Sequence, residues 1–278
     1  MRLGGPVFGT YKEPEEWLSL LEKYGYSAAY CPIDSSAGEE IIKAYEEAGR
    51  KRDIVIAEVG AWSNPLSPDE ETRRSAIELC KRQLYLADKI GAQCCVNIAG
   101  SRGEKWDGPC EKDLTEETFE MIVETVRAII DDVKPTRTFY TLETMPWMFP
   151  DSPDSYLRLL KAIDRKQFAV HLDIVNMINS PRRYFHNAEF IKECVEKLGP
   201  YIKSCHAKDV LMSEEFIVHI KEVRPGLGKL DYKTLLRELE RVSPDIPLMM
   251  EHLTSEEEYL LAGAYIRQIA KEAGVLIK

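Results

Sequence analysis

No apolar run in this 278-residue chain approaches the roughly 20 residues that a membrane-crossing helix needs. The opening Met1-Arg2-Leu3-Gly4-Gly5-Pro6 lacks the apolar core of about 7–15 residues that marks a secretory signal. Both absences lead us to expect a cytoplasmic protein with no membrane partner. Basic residues are in deficit, 37 Lys and Arg against 47 Asp and Glu, so the net charge is −10. Such a field repels phosphate backbones, and no local basic groove offsets it, which argues against nucleic acid as a partner. Seven cysteines (31, 80, 94, 95, 110, 194, 205) include no C-x-x-C pair and leave one over. That pattern suits reduced, buried thiols and argues against a disulfide framework or a zinc-thiolate site. A glycine-rich phosphate loop is missing, as is any linker, low-complexity stretch or break in composition. Residues 1–278 are expected to form a single domain.

What is present is a repeat of short apolar runs and amphipathic stretches. Runs begin near residues 3, 28, 54, 94, 139, 168, 202 and 248, a spacing of about 35 residues, the size of one strand-helix unit with its loops. Between them, apolar positions recur with helical period: Trp17, Leu20, Leu21 and Tyr24, or Phe119, Ile122, Val123, Val126, Ile129 and Ile130. Ser67-Pro68-Asp69-Glu70 predicts an N-cap, Pro at N1 and Glu at N3, and Thr115, Ser152, Asp231 and Ser255 are predicted caps. Val210 to Leu230 is an excursion without an assigned element. Eight such units closing on themselves make a (β/α)8 TIM barrel, whose functional residues lie at the carboxyl ends of the strands.

Four successive runs end on polar residues. Phe139-Tyr140-Thr141-Leu142 closes on Glu143, Phe168-Ala169-Val170-His171-Leu172 on Asp173, Ile202-Lys203-Ser204-Cys205 on His206, and Pro247-Leu248-Met249-Met250 on Glu251. A lone acid at a strand end is commonly a helix cap or an ion-pair partner. Three buried together would cost several kcal/mol in desolvation and repulsion unless a cation sat among them. Three carboxylates and an imidazole form a hard, oxygen-rich donor set for one divalent metal, better suited to Mn²⁺, Mg²⁺ or Co²⁺ than to structural zinc, with Zn²⁺ kept as an alternative.

The ordered set Glu143, Asp173, His206-Ala-Lys208-Asp209 and Glu251, with Arg224-Pro-Gly-Leu-Gly-Lys-Leu-Asp-Tyr232, resembles the xylose isomerase-like TIM-barrel superfamily over nearly the whole chain. The likeness is to its sugar isomerase/epimerase branch, which includes ketose 3-epimerases and hydroxypyruvate isomerase. It implies a metal ion, often Mn²⁺, bound by Glu143, Asp173, His206 and Glu251 and holding two oxygens of a keto-sugar. Glu143 and Glu251 would also serve as the acid/base pair on opposite faces of the substrate. Many relatives carry Asp-x-x-His after strand six, where this chain has Asp173-Ile174-Val175-Asn176. Asn176 can bind a hydroxyl but cannot move a proton near neutral pH. The likeness extends distantly to endonuclease IV, which uses more histidines and a basic surface; this chain has five His and an acidic balance.

Other candidates carry two readings each. His171 shares a strand face with Asp173, as a core histidine before a proton carrier. Arg224 is either a cation reaching over the site or half of a surface ion pair. Lys208 and Asp209 either orient His206 or pair at the strand end. Asn97, Trp62 and Trp106 lie near strand ends, as do Glu58, Tyr30 and Trp147; aromatic groups there would line a sugar site or merely pack the rim. The expected activity is isomerisation or epimerisation of a small keto-sugar or keto-glycoside by proton removal beside a carbonyl, with the enediolate held by the ion. A lyase of the same chemistry, either a dehydratase or a 3-keto-glycoside deglycosidase, is the alternative enzyme. A non-catalytic sugar- or partner-binding barrel is the alternative of another class, and a homo-oligomer or partner subunit is left open.

Overall fold

A computed structural model describes residues 1–278. In chain order the strands are β1 (Arg2–Gly4), β2 (Ala28–Tyr30), β3 (Val55–Gly60), β4 (Cys94–Asn97), β5 (Phe139–Glu143), β6 (Phe168–Leu172), β7 (Ile202–Ala207), β8 (Asp209–Met212), β9 (Ile220–Val223) and β10 (Pro247–Met250). All but β8 and β9 pair in parallel and close a barrel in the order β1-β10-β7-β6-β5-β4-β3-β2. The helices are α1 (Pro14–Tyr24), α2 (Glu39–Lys51), α3 (Glu70–Ile90), α4 (Glu116–Val133), α5 (Pro153–Ile163), α6 (Ile174–Met177), α7 (Pro181–Phe185), α8 (Asn187–Leu198), α9 (Tyr232–Val242) and α10 (Glu256–Ala273). This is a single-domain (β/α)8 TIM barrel. No helix is long and apolar enough to cross a membrane.

The eight predicted strands are the barrel strands. Helix α4 buries Phe119, Ile122, Val123, Val126, Ile129 and Ile130, the face its period marks out, and Thr115 caps it by accepting from the Thr118 N–H. Each such side chain contributes about 1.5–3 kcal/mol on burial. Ser152, Asp231 and Ser255 cap α5, α9 and α10 as expected. The cap of α3 differs. The helix starts after Asp69, whose carboxylate accepts from the Thr72 N–H, while the Ser67 hydroxyl accepts from the Asp69 N–H and only shapes the approach. Two further features lie outside the predicted pattern. The excursion after β7 folds into an antiparallel hairpin, β8 with β9, and two short helices, α6 and α7, fill the turn between β6 and α8.

One side chain ties the outer layer to the strands that carry the polar residues. Tyr156 on α5 is fully buried; its hydroxyl shares its one proton between the carbonyls of Leu142 (2.6 Å) and Ala169 (2.9 Å) and accepts from the Leu142 N–H (3.1 Å). It therefore bridges β5 and β6 one residue before Glu143 and two before His171. Tyr156→Phe keeps the ring and strands these backbone groups in a dry site, which costs about 1–3 kcal/mol. Urea unfolding of the two proteins should show a lower midpoint for the variant at unchanged slope; equal midpoints would mean that the bridge contributes nothing.

Candidate metal centre

Register brings the strand ends to one level. Glu143 on β5 faces His171 on β6, and Met249 on β10 faces His206 on β7, so Asp173 and Glu251, each two residues further on, share the same mouth. Glu143, Asp173, His206 and Glu251 each offer a donor atom, all within 4.8 Å of one another. His206 Nδ1 stands 2.8 Å from Glu251 Oε1, 3.2 Å from Glu143 Oε1 and 3.5 Å from Asp173 Oδ2. Asp173 also caps α6, its Oδ1 accepting from the Asn176 N–H, which leaves Oδ2 turned toward His206.

Lys208 joins this group rather than pairing with Asp209. Its Nζ is 2.6 Å from Glu251 Oε1, 2.7 Å from Asp173 Oδ2 and 3.5 Å from Glu143 Oε1, with the side chain almost wholly buried. Close as these atoms are, their directions are not those of hydrogen bonds. Asp173 Oδ2, Glu251 Oε1 and Lys208 Nζ are all buried without a hydrogen-bond partner. Convergent, unsatisfied oxygens beside an imidazole nitrogen fit a hard divalent cation, and these residues could hold one.

Burial would raise every carboxyl here, and the neighbouring cations divide them. Against that desolvation, Lys208 and His206 hold Asp173 well below the usual carboxylate range, and His206 with Lys208 brings Glu251 down to about 2. For Glu143 burial outweighs the same two cations, and its carboxyl is raised. Burial, reinforced by His206, pushes His171 down to about 4, so that ring is neutral near pH 7. Burial is overcome at His206, which the carboxylates of Glu251, Glu143 and Glu58 raise.

The remaining expected site residues divide between the mouth and elsewhere. Asn176 donates from Nδ2 to Glu143 Oε1 (3.0 Å) and to the Thr144 carbonyl (3.1 Å). Trp62, Trp106 and Trp147, each more than a third exposed, line a cavity of about 720 Å³ that reaches Glu143 and Glu251. Trp147 Nε1 donates to the Asp107 carbonyl, joining the loop after β5 to that after β4. Three residues are placed away from the mouth. Arg224 does not reach over it, because its Nε donates to Glu258 Oε2 at 2.9 Å. Asn97 is fully buried with Ser63 and Cys80, its Oδ1 accepting from the Ser63 N–H. Asp209 does not orient His206; its carboxylate accepts from the N–H groups of Val210, Gly226, Gly228 and Leu230. A Cβ at residue 228 would lie 2.2 Å from Asp209 Oδ1, so glycine is required for that approach.

His171 lies one layer beneath Asp173, fully buried against Glu58 and His206. Three nearby residues carried little or no weight in the sequence reading: Glu58, Glu222 and His252. Glu58 had a visible signal, an acid inside the β-branched run Val55-Ile56-Ala57-Glu58-Val59. His252 bonds Glu222 (3.2 Å) and adopts φ +58°, a left-handed backbone uncommon outside glycine that directs the chain just past Glu251.

The four N–H groups on Asp209 fix the hairpin to the barrel. Asp209→Ala should destabilise the fold by about 3 kcal/mol, since hydrogen bonds to a charged acceptor are lost and the donors lie in a partly dry turn. Amide exchange across residues 209–231 should accelerate more than in α4; a uniform change would show that the carboxylate does not hold the hairpin in particular.

Comparison with curated proteins by sequence finds no match. By structure, the chain is similar to 3-keto-D-glucoside 4-epimerase from E. coli (TM-score 0.68, 16% identity, covering 96% of this chain and 99% of that one). It is also similar to the probable 3-DHS dehydratase involved in petrobactin synthesis from Bacillus anthracis (0.69, 15%, 94% and 94%). A xylose isomerase-like TIM barrel protein from Mycobacterium smegmatis, crystallised in complex with magnesium, matches at 0.66 and 15% identity over 94% of this chain and 90% of that one. At such identities the likeness is one of fold. The model of one family, described as xylose isomerase-like TIM barrel, matches residues 9–271, and the chain therefore belongs to that family.

Proposed function

We propose that this protein is a divalent-metal-dependent isomerase or epimerase acting on a keto-sugar or keto-glycoside. The observation that carries the reading is the pair Glu143 and Glu251. They stand at the carboxyl ends of β5 and β10, with β6 and β7 between them, so they approach the Asp173–His206 pair from opposite sides. Two carboxylates so placed can remove a proton from one face of a carbon beside a carbonyl and return one to the other. Asn176 holds Glu143 Oε1 in place. Lys208 supplies a fixed positive charge next to Asp173 and Glu251. Glu143, Asp173, His206 and Glu251 would hold the ion, which when bound supplies charge for a substrate carbonyl and the negative charge that develops on it. Mn²⁺ is our first choice, with Mg²⁺, Co²⁺ or Zn²⁺ as alternatives; the magnesium in the mycobacterial neighbour supports a hard dication.

Lyase chemistry is the second reading, favoured by the aromatic rim. Trp62, Trp106, Trp147, Met145 and Pro146 give the mouth a broad apolar wall, which suits a substrate with a bulky or aryl appendage that could also leave. Removing that face from water contributes about 25 cal/mol per Å². The epimerase and the probable dehydratase among the structural neighbours leave both reactions within reach of the fold.

Elemental analysis of the purified chain should find one divalent ion, and His206→Ala or Asp173→Ala should lose most of it. Full retention in both variants would remove these residues from the ligand set. In D₂O with Mn²⁺, 3-keto-glycosides should be turned over with higher kcat/KM than fructose or tagatose, and Glu143→Gln and Glu251→Gln should each lower kcat by about 10²–10⁴-fold without unfolding the chain. Deuterium uptake beside the ketone without release of the appendage identifies an epimerase, and release a lyase. A preference for free ketoses would return the tryptophans to rim packing.

A further inference from the structure

His206 has two ring nitrogens and both face carboxylates. Nδ1 is turned to Glu251, Glu143 and Asp173 in the mouth. Nε2 points down into the barrel, 3.4 Å from Glu58 Oε1. Glu58 is 2% exposed. Its other oxygen accepts from the Ser204 hydroxyl at 3.2 Å and stands 3.3 Å from His171 Nδ1. His171 in turn packs edge-on against the His206 ring, centroids 4.1 Å apart at 73°, so the imidazole is gripped on its edge and its face.

We propose that Glu58 is the positioning residue of the metal centre: it accepts the Nε2–H of His206 and thereby presents the Nδ1 lone pair to the ion held by Glu143, Asp173 and Glu251. A neutral imidazole carries one N–H, and without an acceptor below, the proton is free to sit on Nδ1, where it would block the ion. A carboxylate fixed by Ser204 removes that freedom and makes Nδ1 a stronger donor. The inference rests on the metal reading above. It also gives the layer beneath the mouth a task, since Glu58 and His171 are otherwise a buried acid and a buried imidazole with both ring nitrogens lacking hydrogen-bond partners.

The test uses the whole purified chain, stripped of metal and titrated with Mn²⁺ by electron paramagnetic resonance of the free ion. Wild type should bind one Mn²⁺; Glu58→Ala should bind it about 10- to 100-fold more weakly; and Glu58→Asp, which keeps the carboxylate, should recover part of the loss. Glu58→Gln, nearly isosteric, should fall between wild type and Ala and covers the case in which Glu58→Ala does not fold. A role in packing alone would not change the second readout, the Nε2–H proton of His206 in ¹⁵N-labelled protein loaded with diamagnetic Mg²⁺. That proton should be downfield and slow to exchange in wild type and lost to exchange in Glu58→Ala. Unchanged affinity together with an unchanged Nε2–H signal overturns the assignment of Glu58. So does a stoichiometry of two ions falling to one in the variant, because Glu58 would then be a ligand itself. A wild-type chain that binds no Mn²⁺ overturns the metal reading, and this inference with it.

Discussion

Three carboxylates converge on one imidazole nitrogen inside a barrel, and the energy of that arrangement governs the mouth of this protein. Desolvating such a cluster is affordable only where positive charge meets it. Lys208 supplies one such charge permanently, from two residues beyond His206 on the same side of the chain. The oxygens it leaves unsatisfied are those that converge toward Nδ1 of His206. Glu58 and Ser204 then stiffen the ring from the layer below. The fold contributes the convergence itself: parallel strands in a closed barrel all end at one level, so residues more than a hundred positions apart in sequence meet without any special local conformation.

Much of this was legible because the period of a strand is simple. Most barrel strands are short apolar runs, and where the runs of β5, β6, β7 and β10 stop on Glu, Asp or His the side chain falls at the mouth. The same alternation accounts for one expectation that did not hold. Lys208 and Asp209 were read as a pair, yet adjacent residues on extended chain point to opposite sides. Lys208 shares the side of His206, and Asp209 turns outward to four backbone N–H groups. Arg224 and Asn97 depended on tertiary partners, Glu258 and the Ser63–Cys80 pair, that no spacing reveals. The hairpin β8–β9 lacked a clean period, since β9 is Ile220-Lys221-Glu222-Val223, with charged residues at its centre. Glu58 was visible as an acid within an apolar strand, but which neighbour it served required the barrel to close.

The structure also separates strand-borne from loop-borne groups around the mouth. The proposed donor residues lie at most one residue beyond β5, β6, β7 and β10, held by ladders and by Tyr156. The aromatic wall is carried by loops instead: Trp62 after β3, Trp106 after β4 and Trp147 after β5. Position on a rigid strand suits groups that must hold a few tenths of an ångström, and position on a loop suits groups that must fit one molecule and not another.

The hairpin after β7 extends this separation. Its base is bound to the barrel by Asp209, and Glu222 near the base reaches Lys208 and His252 at the mouth. Its far end carries Phe216, Ile217 and Val218 out into solvent. Asp209 and Gly228 form a socket at the base, and the residues from Ser213 to His219 make none of its bonds; of these, Val218 still borders Trp147 and Val175 beside the mouth. For anyone diversifying this scaffold, that segment can be randomised or exchanged as a unit. The bonds by which Asp209 seats the hairpin lie outside the exchanged residues, so the base keeps them.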